Sequence, residues 1–285
     1  RNVMATIIDG KELSKKLKEQ MKDRVAQMRQ QGIVPKLVVV LVGNNSASEV
    51  YVRNKHKACG EVGIESEVIK MPEETTQQEL LDVVKGLNED RTVDGILVQL
   101  PLPGQINEKV VLRSILPEKD VDGFHPVNVG LLSIGDDCYA PATPSGIIAM
   151  FKEYGIEIAG KHCVIIGRSN IVGKPMAALL LRHNATVTVC HSKTQNLSEL
   201  TRQADIVIVA TGHRHTLTAD MVKEGAVVID VGMNRNELGK LCGDVDFDEV
   251  KEKASFITPV PGGVGPMTIT ELLENTILAA QRHHS

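Results

Sequence analysis

A chain of 285 residues exceeds the usual size of one hydrophobic core, so two domains are expected. Hydrophobic residues make up 42% and charged residues 24%, and no apolar run reaches the roughly 18 residues of a membrane span, which excludes disordered and membrane-spanning classes. A net charge of -4 with three Tyr, four Phe and no Trp offers neither the basic face nor the stacking platforms of a nucleic-acid binder.

The start, Arg1 to Ile8, lacks the pattern of a secretory signal, and a cytoplasmic protein is expected. Arg1, Asn2 and Val3 ahead of Met4 and the closing His283-His284-Ser285 read either as native sequence or as tag remnant, and carry no argument. The five cysteines are odd in number, widely spaced and without a C-x-x-C pair, which fits a reducing compartment and neither a disulfide framework nor a zinc cluster.

In chain order, Asp9-Gly10 ends a short strand and opens an amphipathic helix, about Lys11 to Gln30. Lys36 to Val42 is a buried strand, Ser46 to Val62 a helix, Glu65 to Met71 a strand, Thr76 to Asn88 a helix and Gly95 to Leu100 a strand. The irregular, Pro-rich DDCYAPATPSG segment around Cys138 to Pro144 marks a domain boundary. Strands then follow at His162 to Ile166, Thr186 to Cys190, Ile206 to Ala210 and Val227 to Val231, separated by helical segments, and a last helix runs from about Met267 to Arg282. Such alternation is the signature of βαβ units around parallel sheets, so the class is α/β.

Cys163 to Pro175 (CVIIGRSNIVGKP) is a strand, a Gly turn and a helix start, which presents backbone N–H groups and a helix dipole to a phosphate. Gly167 takes the first glycine position of a dinucleotide fingerprint, but Ser169 stands at the second and Gly173 comes one residue late; an ordinary tight turn is the alternative. An NTPase loop is excluded, because five residues instead of four separate Gly167 from Gly173 and Pro175 replaces the Mg2+-binding hydroxyl. The next strand ends in Cys190-His191-Ser192-Lys193, without the carboxylate that NAD enzymes place on the ribose 2'-hydroxyl. Arg168 and Ser192 suit a 2'-phosphate, so NADP is the expected cofactor. Thr211-Gly212 reads as close backbone approach to the dinucleotide or as a turn, and Asp230 as a structural residue or a ligand.

In the first half, Tyr51 and Lys55 lie four residues apart on one helix face, an arrangement also commonplace on solvated helices. Gln99 ends an apolar strand at the edge where α/β sheets bind ligands, and Asp120-Val121-Asp122-Gly123 sets carboxylates beside a glycine turn.

These stretches, Tyr51-Val52-Arg53-Asn54-Lys55, the run from Val98 to Pro103, Lys119 to Gly123, Gly167-Arg168-Ser169 with Val172-Gly173, His191 to Thr194 and Thr258 to Thr268 (TPVPGGVGPMT), resemble the methylenetetrahydrofolate dehydrogenase/cyclohydrolase family in order and over nearly the whole chain. The resemblance implies an N-terminal α/β folate-binding catalytic domain, residues 1–142 completed by the C-terminal helix 267–285. It also implies a Rossmann-like NADP-binding domain, residues 143–266, with a cleft between the two, in a homodimer. It makes Lys55 the cyclohydrolase residue, Tyr51 its folate-packing neighbour, Gln99 the partner that tunes the lysine and Asp122 the carboxylate that holds the pterin. Pro261, Gly262, Gly263 and Thr268 would line the cleft; Gly167, Arg168, Ser169, Val172, Gly173, His191, Ser192, Thr211 and Gly212 would bind NADP.

The implied chemistry needs few side chains and no metal. Hydride leaves a one-carbon bridge between two nitrogens whose lone pairs stabilise the resulting cation, so cofactor and substrate supply the reactivity. Attack of water on the methenyl cation needs proton management, for which a lysine with a burial-lowered pKa is suited. The rival readings are another two-domain NADP dehydrogenase of a small acid, which should lack the Tyr51, Lys55, Gln99 and Asp122 set, and a non-catalytic NADPH-binding module.

Overall fold

A computed structural model of the chain describes residues 4–285, so the reading of residues 1–3 as a tag remnant lies outside them. The elements in order are β1 (Thr6–Ile7), α1 (Gly10–Gln30), β2 (Lys36–Val42), α2 (Ser46–Val62), β3 (Glu65–Met71), α3 (Gln77–Glu89), β4 (Gly95–Val98), α4 (Glu108–Ser114), α5 (Pro126–Ile134) and α6 (Ala142–Glu153). They continue with β5 (His162–Ile166), α7 (Gly173–Arg182), β6 (Thr186–Cys190), α8 (Leu197–Arg202), β7 (Ile206–Val209), β8 (Val227–Asp230), β9 (Asn234–Arg235), β10 (Leu241–Cys242), α9 (Phe247–Val250), β11 (Phe256–Ile257) and α10 (Val264–His283).

The chain divides into two compact units. The first comprises Lys16–Pro141 and Ile269–Ser285 and carries a three-stranded parallel sheet in the order β3-β2-β4. The uninterrupted apolar run of β2 follows from coverage on both faces. Leu37, Val39 and Leu41 enter one core with Met21, Val25, Val52, Leu273 and Ile277, whereas Val38, Val40 and Val42 enter another with Leu80, Val84 and Val111. Helix α2 starts where the Asn45 side chain accepts from Ser48 N, and stops at Gly63, whose φ of 88° few other residues adopt. Thr76 and Glu79 form a reciprocal capping box at the start of α3.

The second unit comprises residues 4–15 and Ala142–Thr268, with a six-stranded parallel sheet in the order β1-β11-β8-β7-β5-β6. Residues 4–15 group here, because β1 pairs in parallel with β11 and Gly10 N donates to Gly262 O at 2.9 Å. The approach is so close that a Cβ at Gly10 would lie 1.7 Å from the Gly263 carbonyl oxygen. Strand β5 lies between β6 and β7, so the chain reverses direction across the sheet there, the place where open α/β sheets bind ligands.

Two expectations change. The Pro-rich segment after Cys138 is not irregular throughout: α6 begins at Ala142 and holds Pro144 in its first turn, where the missing N–H has no helical partner to lose. For the same reason α10 begins at Val264 and contains Pro266, three residues before the expected start at Met267. The closing His283 is part of the fold, with Nδ1 2.9 Å from an oxygen of buried Asp94 and Nε2 3.1 Å from the Glu118 carbonyl. Among the described residues no helix is long and apolar enough to cross a membrane.

Candidate active site

In the first unit, α2 and the end of β4 bring Lys55 and Gln99 together. Lys55 Nζ donates to Gln99 Oε1 at 2.8 Å, and Gln99 Nε2 donates to the Leu100 carbonyl at 3.1 Å, which orients the amide. Gln99 is buried one residue past β4, its backbone N–H bonded to Val40 O at 2.9 Å. Burial lowers the Lys55 pKa below its ordinary value, and the negative charge of Asp122 acts in the opposite direction. Burial likewise pushes the Asp122 carboxyl up to about 6, with Lys55 opposing the rise and Asp120 adding to it. Tyr51 stands one turn before Lys55 on α2 with 47% of its surface exposed, an apolar ring open to a ligand.

Asp120 and Asp122 differ in kind. Asp120 is 2% exposed and accepts from His125 N at 2.8 Å and Asn128 Nδ2 at 2.9 Å, so it anchors the start of α5. The carboxylate of Asp122 makes no hydrogen bond among the described residues. A carboxylate without hydrogen-bonded ties beside a lysine whose pKa burial lowers can hold a two-donor ligand edge while the amine handles a proton.

In the second unit, the turn after β5 is shaped for close approach. Gly167 has φ 129°, and a Cβ there would lie 2.3 Å from Ala210 O; a Cβ at Gly173 would lie 2.3 Å from Gly167 O. Ser169 Oγ accepts from Val172 N at 3.0 Å and Gly173 N at 3.4 Å, capping α7. Arg168 is exposed and makes no hydrogen bond or ion pair among the described residues. After β6, His191 N donates to Thr194 Oγ1 at 2.8 Å and Nδ1 accepts from Lys193 N at 3.2 Å, a turn that leaves Ser192 exposed. The donor set, an unpaired guanidinium and a hydroxyl with no carboxylate at the end of β6, fits a phosphorylated ribose.

The N–H groups of Thr211 and Gly212 both donate to Asp244 Oδ2, at 2.8 and 3.0 Å. Asp230 is structural: its oxygens accept from Gly232 N, Asp244 N and Val245 N at 2.9 to 3.1 Å. Buried Asp244, which sequence reasoning passed over, thus organises the loops after β7 and β8; its partners lie up to 33 residues away and leave no local spacing to read.

A cavity of about 230 Å³ opens beside these loops, lined by Val231, Met233, Pro261, Gly262, Gly263 and Thr268 among others. Thr268 Oγ1 lies 3.1 Å from Thr143 Oγ1, which tethers the start of α10 to α6. Lys55, Tyr51, Gln99 and Asp122 belong to the first unit; Pro261 to Thr268 belong to the second.

Comparison with known proteins now bears on the whole chain. Residues 8–122 match the family described as tetrahydrofolate dehydrogenase/cyclohydrolase, catalytic domain, and residues 141–284 its NAD(P)-binding domain. The bifunctional protein FolD of Brevibacillus brevis is 57% identical over 278 residues, 98% of each chain. Among solved structures, the bifunctional FolD methylenetetrahydrofolate dehydrogenase/cyclohydrolase from Campylobacter jejuni is 55% identical with a TM-score of 0.96, covering 98% of this chain and 99% of that one. The Trypanosoma brucei FolD, complexed with NADP cofactor and inhibitor, is 39% identical with a TM-score of 0.91 and 98% coverage of both chains. By domain match and by identity over its length, the chain belongs to the tetrahydrofolate dehydrogenase/cyclohydrolase family.

Proposed function

We propose that the chain oxidises 5,10-methylenetetrahydrofolate to the 5,10-methenyl form with NADP and hydrolyses that product to 10-formyltetrahydrofolate, with Lys55 serving the hydrolytic step. It is a dehydrogenase and cyclohydrolase, as its two family domains and its FolD relatives have it. The single observation that carries the residue assignment is the 2.8 Å bond from Lys55 Nζ to Gln99 Oε1, beside an Asp122 carboxylate without a hydrogen-bonded partner among the described residues.

When bound, NADP accepts the hydride of the one-carbon bridge. Arg168 and Ser192 hold its 2'-phosphate, Gly167 and Gly173 let backbone approach the diphosphate, and Ser169, Val172 and His191 shape the turns around it. Asp122 accepts from the two-donor pterin edge and Tyr51 packs on the ring; in the other unit, Pro261, Gly262, Gly263 and Thr268 are the residues the family resemblance gives to substrate binding. Water then adds to the methenyl carbon. The proton it loses needs a base near neutrality, and an amine whose burial favours its neutral form is one; Gln99 fixes where that amine stands.

The folate-binding domain on this reading is residues 1–142 completed by residues 267–285, and residues 143–266 bind NADP. A homodimer in the cytoplasm, without nucleic-acid or membrane partners, is supported by the family plan and by the net charge of -4. Turnover of methylenetetrahydrofolate with NADP and with NAD, followed through to formyltetrahydrofolate, tests the reading. NADPH and formyltetrahydrofolate should both appear. NADPH binding without folate turnover would favour the non-catalytic module, and turnover of a small acid instead would favour the rival dehydrogenase.

A further inference from the structure

In the first unit, four of the five residues Lys119 to Gly123 are tied to the scaffold. Lys119 Nζ donates to the carbonyls of Leu87, Asn88 and Asp90 at 3.0, 2.9 and 2.7 Å, closing the end of α3. Asp120 is held through His125 and Asn128. Gly123 sits so tightly that a Cβ would lie 2.3 Å from Tyr139 O. Val121 is fully buried, and its carbonyl accepts from Asn275 Nδ2 at 2.9 Å. Asp122 alone presents its side chain free of such ties.

Asn275 comes from α10, 154 residues from Val121 in sequence, and is 8% exposed. Its Nδ2 also donates to Ala140 O at 2.9 Å, so both amide protons are used. One side chain therefore joins the residue just before Asp122 to the residue just after Tyr139, whose carbonyl abuts Gly123. The backbone on either side of Asp122 is set by that junction.

We propose that Asn275 is a positioning residue for the folate: by holding the Val121 and Ala140 carbonyls it fixes where the Asp122 carboxylate meets the pterin edge. The inference rests on the reading of Asp122 as the pterin-binding group. It assigns the C-terminal helix a part in substrate binding through the backbone, without any contact to substrate. Misplacement by about 1 Å can cost about 100-fold in activity, so a remote amide can matter to this degree.

The test compares Asn275→Ser, Asp122→Ala, their double variant and Thr276→Val. Thr276 is the fully buried neighbour whose hydroxyl bonds Leu272 O within α10 at 2.9 Å, so its replacement perturbs the same helix without touching Val121 or Ala140. Asn275→Ser should raise KM for methylenetetrahydrofolate about ten-fold or more while the Kd for NADP changes less than about two-fold. The double variant should be no worse than Asp122→Ala alone, because the carboxylate being positioned is already absent. Additive losses would overturn the inference, as would an equal rise in KM for Thr276→Val at a matched fall in Tm, or a parallel loss of NADP binding. If Asn275→Ser does not fold, Asn275→Gln, which keeps both donors on a longer stem, carries the same expectation. Should Asp122→Ala leave KM unchanged, the folate reading itself falls and this inference with it; a large effect of Asp122→Ala with none of Asn275→Ser defeats the inference alone.

Discussion

Lys55 Nζ on α2 donates to Oε1 of Gln99, just past β4, over 2.8 Å, and makes no other hydrogen bond to the described residues. Gln99→Leu removes that acceptor and with it the contact that fixes where the amine stands. A hydrogen bond to a charged group is worth about 1.5–3 kcal/mol, so cyclohydrolase kcat should fall about 10- to 100-fold. The dehydrogenase should fall less. Equal losses in the two assays would show that Gln99 serves the shared folate site instead.

Titration of Asp122 sets a pH dependence of stability. Its carboxyl stands at about 6, mainly through burial, whereas an Asp in an unfolded chain titrates near about 3.9. Between these values the native state binds the proton more tightly than the unfolded state, so the contribution to stability is lost as pH rises from about 4 to about 6. Asp122→Asn abolishes this titration. Relative to the native chain the variant should gain stability between about pH 4 and about pH 7, read as a shift in urea midpoints. A difference that does not change with pH would contradict the assigned environment.

Asp120→Ala should destabilise the protein. The carboxylate is buried and its loss strands two donors, His125 N and Asn128 Nδ2, each at about 1–3 kcal/mol. Thermal unfolding checks this. An unchanged Tm would mean that water takes over both bonds.

Arg168 is exposed and carries no partner among the described residues, so its replacement costs the fold little. Arg168→Ala should weaken NADP binding by about 1.5–3 kcal/mol and spare NAD. Titration calorimetry with both cofactors separates the outcomes: equal losses would move Arg168 from the 2'-phosphate to the shared diphosphate.

The elements with strong periodicity were legible in the sequence. The bounds of β2, α2, β3, β5 and β6 follow from uninterrupted apolar runs, caps and turn glycines. Two-residue strands such as β1 and β11 carry no period of their own and exist only as pairing partners. Proline obscured the starts of α6 and α10 for the reason that it fits a first turn. In the site, helix spacing sets Tyr51 and Lys55 on one face and a strand end marks Gln99, while their roles come from the family resemblance alone. Asp244 and Asn275 could not be read, since what defines them is a hydrogen bond to a backbone group 32 to 154 residues away.

The central claim is that a lysine whose burial favours the neutral amine carries out the proton handling of the hydrolytic step, and replacing it by Met tests this most directly. Lys55→Met keeps the apolar stem and removes the amine. Positioned acid-base groups contribute about 10² to 10⁴-fold, so conversion of methenyl- to formyltetrahydrofolate should fall by that order. Hydride transfer needs no such group, and methenyltetrahydrofolate should accumulate as NADPH forms. A Lys55→Met protein that still makes formyltetrahydrofolate well above the spontaneous rate would contradict the account.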